Sequence, residues 1–387
     1  MNRQFGDQFR NRRVLITGHT GFKGSWLSVW LTELGAKVIG YSLDPPTEPN
    51  NFQLCKLQER LIHHSGDVRD VENLTKVIRS SKPEIVFHMA AQPIVLDSYR
   101  APKDTFDTNV MGTVNLFEAV RQTETVKAVV VVTTDKVYAD QGWYWGYREN
   151  DRLGGFDPYS SSKAMAELAV SSYRSAWREA WHEGNDRITF SNHPVAIASA
   201  RAGNVIGGGD FARFRLLPDC MRACMEGQPV QVRRPESIRP WQHLLEPLSG
   251  YLCLALRLLE DPETFGQAWN FGPAERQPVT SRAVIEKAIE YWGGGRFETG
   301  TQPDDGHETP VLRVNWDQAA HLLSWSPAYT WENAVNETVT WWKLYKTMIE
   351  KDDSSVDMYQ VCADHIEEYV ECARNQGIEW ASGGSFK

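Results

Sequence analysis

The sequence predicts an α/β protein organised around a doubly wound parallel sheet, and three observations lead there. A short apolar run, residues 14–17 (VLIT), is followed at once by a glycine-rich turn and a helical stretch over 22–34. Further apolar, β-branched runs recur at 38–41, 84–89, 128–134 and 195–201. Helical segments such as 105–122 separate them. Strands alternating with helices make a parallel sheet covered on both faces, which is why the strands read as continuous apolar runs.

The chain's 387 residues allow about two domains. Near Gly203 the rhythm changes: Pro and Arg become frequent, and helical runs at 216–226 and 281–292 alternate with short strand candidates. The expected division is therefore 12–204 for the sheet domain, with 241–260 returning to pack on it. Residues 205–343 are expected to form mainly a smaller α/β, substrate-binding lobe, and 344–387 a C-terminal extension. Within the extension, the amphipathic stretch 356–372 offers Val361, Ile366, Tyr369 and Val370 for docking on the body or on a partner.

Composition narrows the function. A formal net charge of −9 argues against a nucleic-acid surface, while leaving room for a local pocket of arginines around a phosphorylated ligand. The six cysteines, Cys55, Cys220, Cys224, Cys253, Cys362 and Cys372, form no CxxC pair, and no histidine cluster has zinc spacing. Cys220 and Cys224 are four apart on a helical run, where packing is the simpler reading. A reduced, cytoplasmic setting is expected, with no metal. Residues 1–13 are polar and lack an apolar signal core, and no run of about 18 apolar residues suggests a membrane span.

The turn after the first strand reads Gly18-His-Thr-Gly21-Phe22-Lys23-Gly24. Lying between a strand and a helix, it has the context of a dinucleotide site, in which backbone without Cβ lets a pyrophosphate approach the helix amides. Its spacing is GxxGxxG rather than GxGxxG. Asp44, just past the second strand, is placed to hold the adenosine ribose, and a carboxylate there favours NAD over NADP. Asp67 and Val68 end the next strand, where Asp67 can accept from the adenine amino group. Ala90, Ala91 and Gln92 follow a further strand, and the small alanines let a cofactor lie close. The architecture is thus Rossmann-like.

Tyr159 and Lys163 form a YxxxK pair, with Asp157 as N-cap and Pro158 as first helical residue. Residues four apart share a helix face, and an adjacent ammonium is expected to favour the phenolate. Thr134 stands at the carboxyl end of the preceding strand.

The segments GHTGFKG, HMAAQP, TNVMGT, TTDKVY, DPYSSSK, RAGNVIGGGD, SIRPWQH and WNFGP together resemble the extended short-chain dehydrogenases that modify sugar nucleotides. Among these they are most similar to the CDP-glucose 4,6-dehydratase branch. The resemblance runs from about residue 13 to 343. It implies an NAD-dependent lyase in which Tyr159 is the base on the sugar 4-hydroxyl, supported by Lys163 and Thr134. NAD would take the C4 hydride, the ketone would acidify C5, water would leave from C6, and the hydride would return to C6. Asp135 and Lys136 would carry the elimination. The dTDP-glucose relatives usually have Glu at the position of Lys136. A lysine beside Asp135 should stay protonated, so either burial lowers its pKa or it stabilises the enolate while another group is the base.

The resemblance also implies the remaining site residues. Asn109, in TNVMGT, joins the cofactor set. Gln92, Asn204, Arg215, Leu217, Pro218, Val230, Arg239 and His243 form the substrate set, with Asn204 on the diphosphate. Arg239 is a natural phosphate partner, since a guanidinium matches phosphate oxygens by paired hydrogen bonds. Arg201 lies in the same RAGN run. The aromatic stretch 142–149 is expected near the sugar pocket or in a purely structural role. One departure is Leu96, where relatives commonly carry Arg, which opens the sugar preference. A nucleotide-sugar 4-epimerase, a dehydratase for another nucleotide sugar and a non-catalytic NAD-binding regulator are the competing readings. Relatives often form homodimers or homotetramers.

Overall fold

Seven strands form one parallel sheet: β1 (Arg13–Thr17), β2 (Lys37–Ser42), β3 (Ile62–Ser65), β4 (Ile85–His88), β5 (Ala128–Val132), β6 (Ala196–Ala202) and β7 (Ala268–Phe271). The structure is a computed structural model that describes residues 4–178, 181–183, 186–188, 190–191, 193–274, 277–299, 311–351 and 356–382. Across the sheet the order is β7-β6-β5-β4-β1-β2-β3. Winding reverses between β1 and β4, which pair in register from Val14↔Ile85 to Thr17↔His88, and such a switch point opens a crevice at the carboxyl ends of the strands.

Strand residues alternate between two apolar layers. Val14, Ile16, Ile85, Phe87 and Val130 face one layer, and Leu15, Val86, Val129 and Val131 face the other. The second layer is closed by α2 (Val71–Ser81), α3 (Gly112–Arg121) and α4 (Pro158–Arg178). The run expected as one helix over 105–122 contains a π-helical turn at Asp107–Met111, which feeds Asn109 inward. On the first face lie α1 (Phe22–Glu33) and, against β5 and β6, α6 (Leu245–Glu260); α5 (Leu216–Glu226) belongs to the lobe beyond. That lobe also holds α7 (Ser281–Trp292) and a parallel pair of short strands, Val230–Val232 with Phe297–Thr299. β7 comes from within 205–343, so the chain re-enters the sheet there; four residues, AWNF, are too short to show a period.

Helix α1 is apolar on all sides, with Trp26, Leu27, Val29, Trp30 and Leu31 at 0% exposure. A helix of that kind needs a second cover. The C-terminal segment supplies it. After α8 (Trp331–Lys351), α9 (Met358–Asn375) packs on α1 with Ile366, Tyr369 and Val370 buried, so its apolar stripe docks on the body. Trp380 stacks on Phe5 at 5.1 Å and on Tyr369 at 5.8 Å, which ties both chain ends together. The buried Glu246 carboxylate accepts from the Ala328 and Tyr329 amides and from the Tyr369 hydroxyl, so both of its oxygens have partners. Trp380→Ala is expected to cost about 3–5 kcal/mol in denaturant unfolding, as for other buried tryptophans. A loss below about 1 kcal/mol would show that the C-terminal segment is not part of the core.

Candidate active site

A cleft of about 1560 Å³ runs along the carboxyl ends of the strands, from the glycine turn to the second lobe. Its first wall is the turn itself. Gly18 has φ +77°, and a Cβ there would meet the Ala90 backbone nitrogen at 2.7 Å; a Cβ on Gly24 would meet the Gly18 carbonyl oxygen at 2.2 Å. Only glycine allows this closeness of turn, helix and β4. Gly21 has nothing nearer than 3.4 Å, leaving its face open to the cleft beside Phe22 and Lys23. Asp44, Asp67, Val68, Ala90 and Ala91 line the same end. The Asp67 carboxylate accepts from Arg69 at 2.6–2.8 Å. An open glycine turn at a helix start, two acids at one end and Tyr159 at the other fit a dinucleotide.

Behind this wall, Thr17 Oγ1 accepts from the Met89 and Ala90 amides and lies 2.8 Å from His88 Nδ1. Since Thr17 already accepts, its hydroxyl donates to the ring, so His88 carries its proton on Nε2 and donates to Thr113 Oγ1. Burial pushes His88 down to about 3, keeping it neutral.

Thr134, Asp135, Lys136, Tyr159 and Lys163 all face the cleft. Asp157 caps α4 as its sequence suggests, accepting from the Ser160 amide at 2.9 Å. Lys163 Nζ donates to the Val132 carbonyl at 3.1 Å, and burial lowers it to about 8 while Glu167 opposes the shift. Burial raises Tyr159 to about 12, and a hydrogen bond with Thr134 and the charge of Arg215 pull it the other way. The charge of Arg215 thus favours the phenolate at Tyr159. Asp135 is 2% exposed, receives a bond from Thr134 Oγ1 at 3.1 Å, and has no protein partner on Oδ2. Burial pushes it up to about 6, against the opposing influence of Lys136, Thr134 and Arg239. Burial likewise lowers Lys23 to about 7, with Lys163 and Arg215 adding to the effect.

At the far end, Asn204, Arg215, Leu217, Pro218 and Arg239 line the cleft, joined by Arg233 and Arg234. Arg215 is paired with Asp210 at 2.9 Å. Leu96, the position where the resemblance implies Arg, lines the wall.

Four expected residues stand elsewhere or act differently. Asn109 is 1% exposed and does not reach the cleft; it clamps the Gln92 backbone, accepting from its amide at 2.8 Å and donating to its carbonyl at 3.1 Å. Gln92 faces the cleft, but its own amide is engaged by Ile94 and Thr105. Val230 turns into the core at 2% exposure together with Val232, because strand side chains alternate, and Gln231 between them faces the cleft. His243 is buried behind the cleft against Trp26 and Tyr329, and burial lowers it to about 3. Arg201 is also interior. It bonds both oxygens of Glu167, which in turn accepts from Ser199 and Thr133, so this pair braces the strand end that carries Thr134. Glu167 escaped the sequence reading although it continues the four-residue spacing of Tyr159 and Lys163.

Among the described residues, no group of His, Cys, Asp or Glu is arranged to hold a metal, and no helix is long and apolar enough to cross a membrane. The family model described as GDP-mannose 4,6 dehydratase matches residues 15–193. A CDP-glucose 4,6-dehydratase from Salmonella typhimurium is 46% identical over 337 residues, covering 87% of this chain and 92% of that protein. The chain belongs to the sugar-nucleotide branch of the extended short-chain dehydrogenases. Within this branch it is also 30% identical to a CDP-paratose 2-epimerase from Salmonella typhi, over 85% of this chain and 98% of that one. A dTDP-glucose 4,6-dehydratase from Bacillus anthracis, solved in complex with NAD, superposes with a TM-score of 0.70 at 24% identity, covering 86% of this chain and 96% of that one. That likeness shows the shared fold of the branch.

Proposed function

We propose that this protein is an NAD-dependent CDP-glucose 4,6-dehydratase, converting CDP-glucose to CDP-4-keto-6-deoxyglucose and water. The observation that carries the reading is that Asp135 and Lys136 line one cleft with Thr134, Tyr159 and Lys163, beside the open glycine turn. The choice of cytidine rests on the 46% identity to the Salmonella typhimurium protein.

Gly18, Gly21, Phe22, Lys23, Gly24, Asp44, Asp67, Val68, Ala90 and Ala91 would hold the cofactor, which when bound would supply a reversible hydride acceptor to the sugar. Tyr159 takes the proton of the 4-hydroxyl, and Thr134 orients the phenol. Asp135, which burial pushes up to about 6, donates to the departing 6-hydroxyl in its protonated form. Lys136 is assigned to the elimination, either as acceptor of the C5 proton or as the cation that stabilises the enolate while another group is the base. Arg239, Arg215 and Asn204 take the diphosphate, with Leu217 and Pro218 against the nucleoside. Residues 205–343 act mainly as the substrate lobe.

A second copy covers the outer face of α4, where Met165 and Leu168 are exposed at 45% and 59%, giving a homodimer or homotetramer. The proposed setting is cytoplasmic.

Incubation with CDP-, dTDP-, GDP- and UDP-hexoses, followed by mass spectrometry, tests the reading. CDP-glucose is expected to yield a product lighter by one water. A sugar epimer of unchanged mass would replace elimination by epimerisation, and turnover of dTDP-glucose alone would overturn the nucleobase.

A further inference from the structure

One buried amide joins three parts of the chain that meet behind the substrate end of the cleft. Asn51 is 2% exposed, lines the cleft, and opens the one-turn helix Asn51–Leu54 that Asn50 caps. Its Nδ2 donates to Ser25 Oγ at 3.0 Å. Ser25 lies in the first turn of α1, bonded through its amide to Gly21 and through its hydroxyl to Phe22. Asn51 thus grips the helix that carries the glycine turn.

Its other end faces the C-terminal segment. Oδ1 lies 3.4 Å from Cys55 Sγ and 3.7 Å from Cys362 Sγ, and Cys362 sits on α9. Both thiols are fully buried. The contact with Cys362 and burial keep the Cys55 thiol well above its ordinary range, so it remains a donor.

The third part is the loop Gly207-Gly208-Gly209. Gly209 has φ +77° and lies flat on Asn51: a Cβ there would meet Asn51 Cγ and Oδ1 at 2.7 Å. The Gly208 carbonyl accepts from Trp26 Nε1 at 2.9 Å, and a Cβ on Gly208 would meet Trp341 of α8 at 1.9 Å. Directly after the loop, Asp210 accepts from the Ala212 amide at 3.1 Å and pairs with Arg215 at 2.9 Å. Three successive glycines have high conformational freedom, so the loop keeps one shape only because this wall holds it. Leu244 completes the wall, since a Cβ on Gly207 would meet its side chain at 2.1 Å.

We propose that Asn51 is a positioning residue through which the C-terminal helix α9 sets the glycine loop and, by way of Asp210, holds Arg215 ready for the substrate diphosphate. The inference rests on the assignment of Arg215 to the nucleotide sugar. A guanidinium already in place loses less freedom on binding, so the effect falls mainly on substrate affinity, with a smaller effect on kcat through the Arg215 charge at Tyr159.

The test uses the full chain. Asn51→Leu keeps volume and burial but removes the amide. It is expected to raise KM for CDP-glucose about tenfold while kcat changes less than about twofold. Hydrogen exchange at the 207–215 amides should become faster. Cys362→Ala should raise KM in the same direction by about threefold, and Cys362→Ser, which keeps a donor, should restore it. Unchanged KM with unchanged exchange would overturn the proposal, and so would a fall in kcat at constant KM. Should Asn51→Leu fail to fold, the Cys362 pair decides: a serine variant no better than alanine overturns the link. The exchange measurement needs no substrate, so it judges the link even with an enzyme that ignores CDP-glucose.

Discussion

Tyr159→Phe is expected to lower kcat by about 10³-fold while leaving the cofactor bound, because only the proton acceptor for the 4-hydroxyl is removed. The ring stays on the first turn of α4, whose cap, Asp157, is untouched. Thr134 keeps its bond to Asp135 Oδ1, so no buried hydroxyl is stranded. Turnover is read by product mass, and cofactor retention by calorimetric titration of the variant. A fully active variant would remove Tyr159 from the mechanism. Loss of cofactor binding together with activity would make its role structural.

Asp135→Asn is expected to stop the reaction after oxidation at C4. Loss of water should fall by about 10²–10³-fold, since an amide cannot protonate the departing hydroxyl. The C4 half-reaction should survive, seen as near-ultraviolet absorbance of reduced cofactor. The pH profile separates this from simple misfolding. Burial favours the neutral carboxyl and pushes Asp135 up to about 6, while Lys136, Thr134 and Arg239 favour the charged form. The acid is thus protonated below about 6, and its contribution to kcat/KM declines as pH rises through that value. That descending limb should be missing from the Asn variant. An identical profile in both proteins would assign proton donation to another group.

The groups that line the inner cleft were readable because each sits inside a short local pattern. GxxGxxG between a strand and a helix, YxxxK after an Asp-Pro cap, and Thr134-Asp135-Lys136 after an apolar strand all take their geometry from neighbours within a few residues. Residues whose direction depends on long-range packing were not readable in the same way. Asn109 turns away from the cleft because the π-helical turn rotates it onto the Gln92 backbone. Val230 faces the core because its strand pairs with 297–299, which sets the alternation. His243 sits in the same motif as Arg239, yet the chain carries it behind Trp26. The buried Glu167–Arg201 brace needed the packing of α4 against β6 before its purpose was visible.

The amino-acid order alone determined the parallel α/β class, the cofactor turn and the tyrosine–lysine helix, because strand period, glycine freedom and helix capping act over a few residues. Tertiary structure decided which arginines reach the cleft, and that Asn51 meets both the glycine loop and Cys362 of the C-terminal helix. Those outcomes depend on burial and on contacts between residues hundreds of positions apart, such as Asn51 with Cys362, and no local pattern encodes which distant partner will be met.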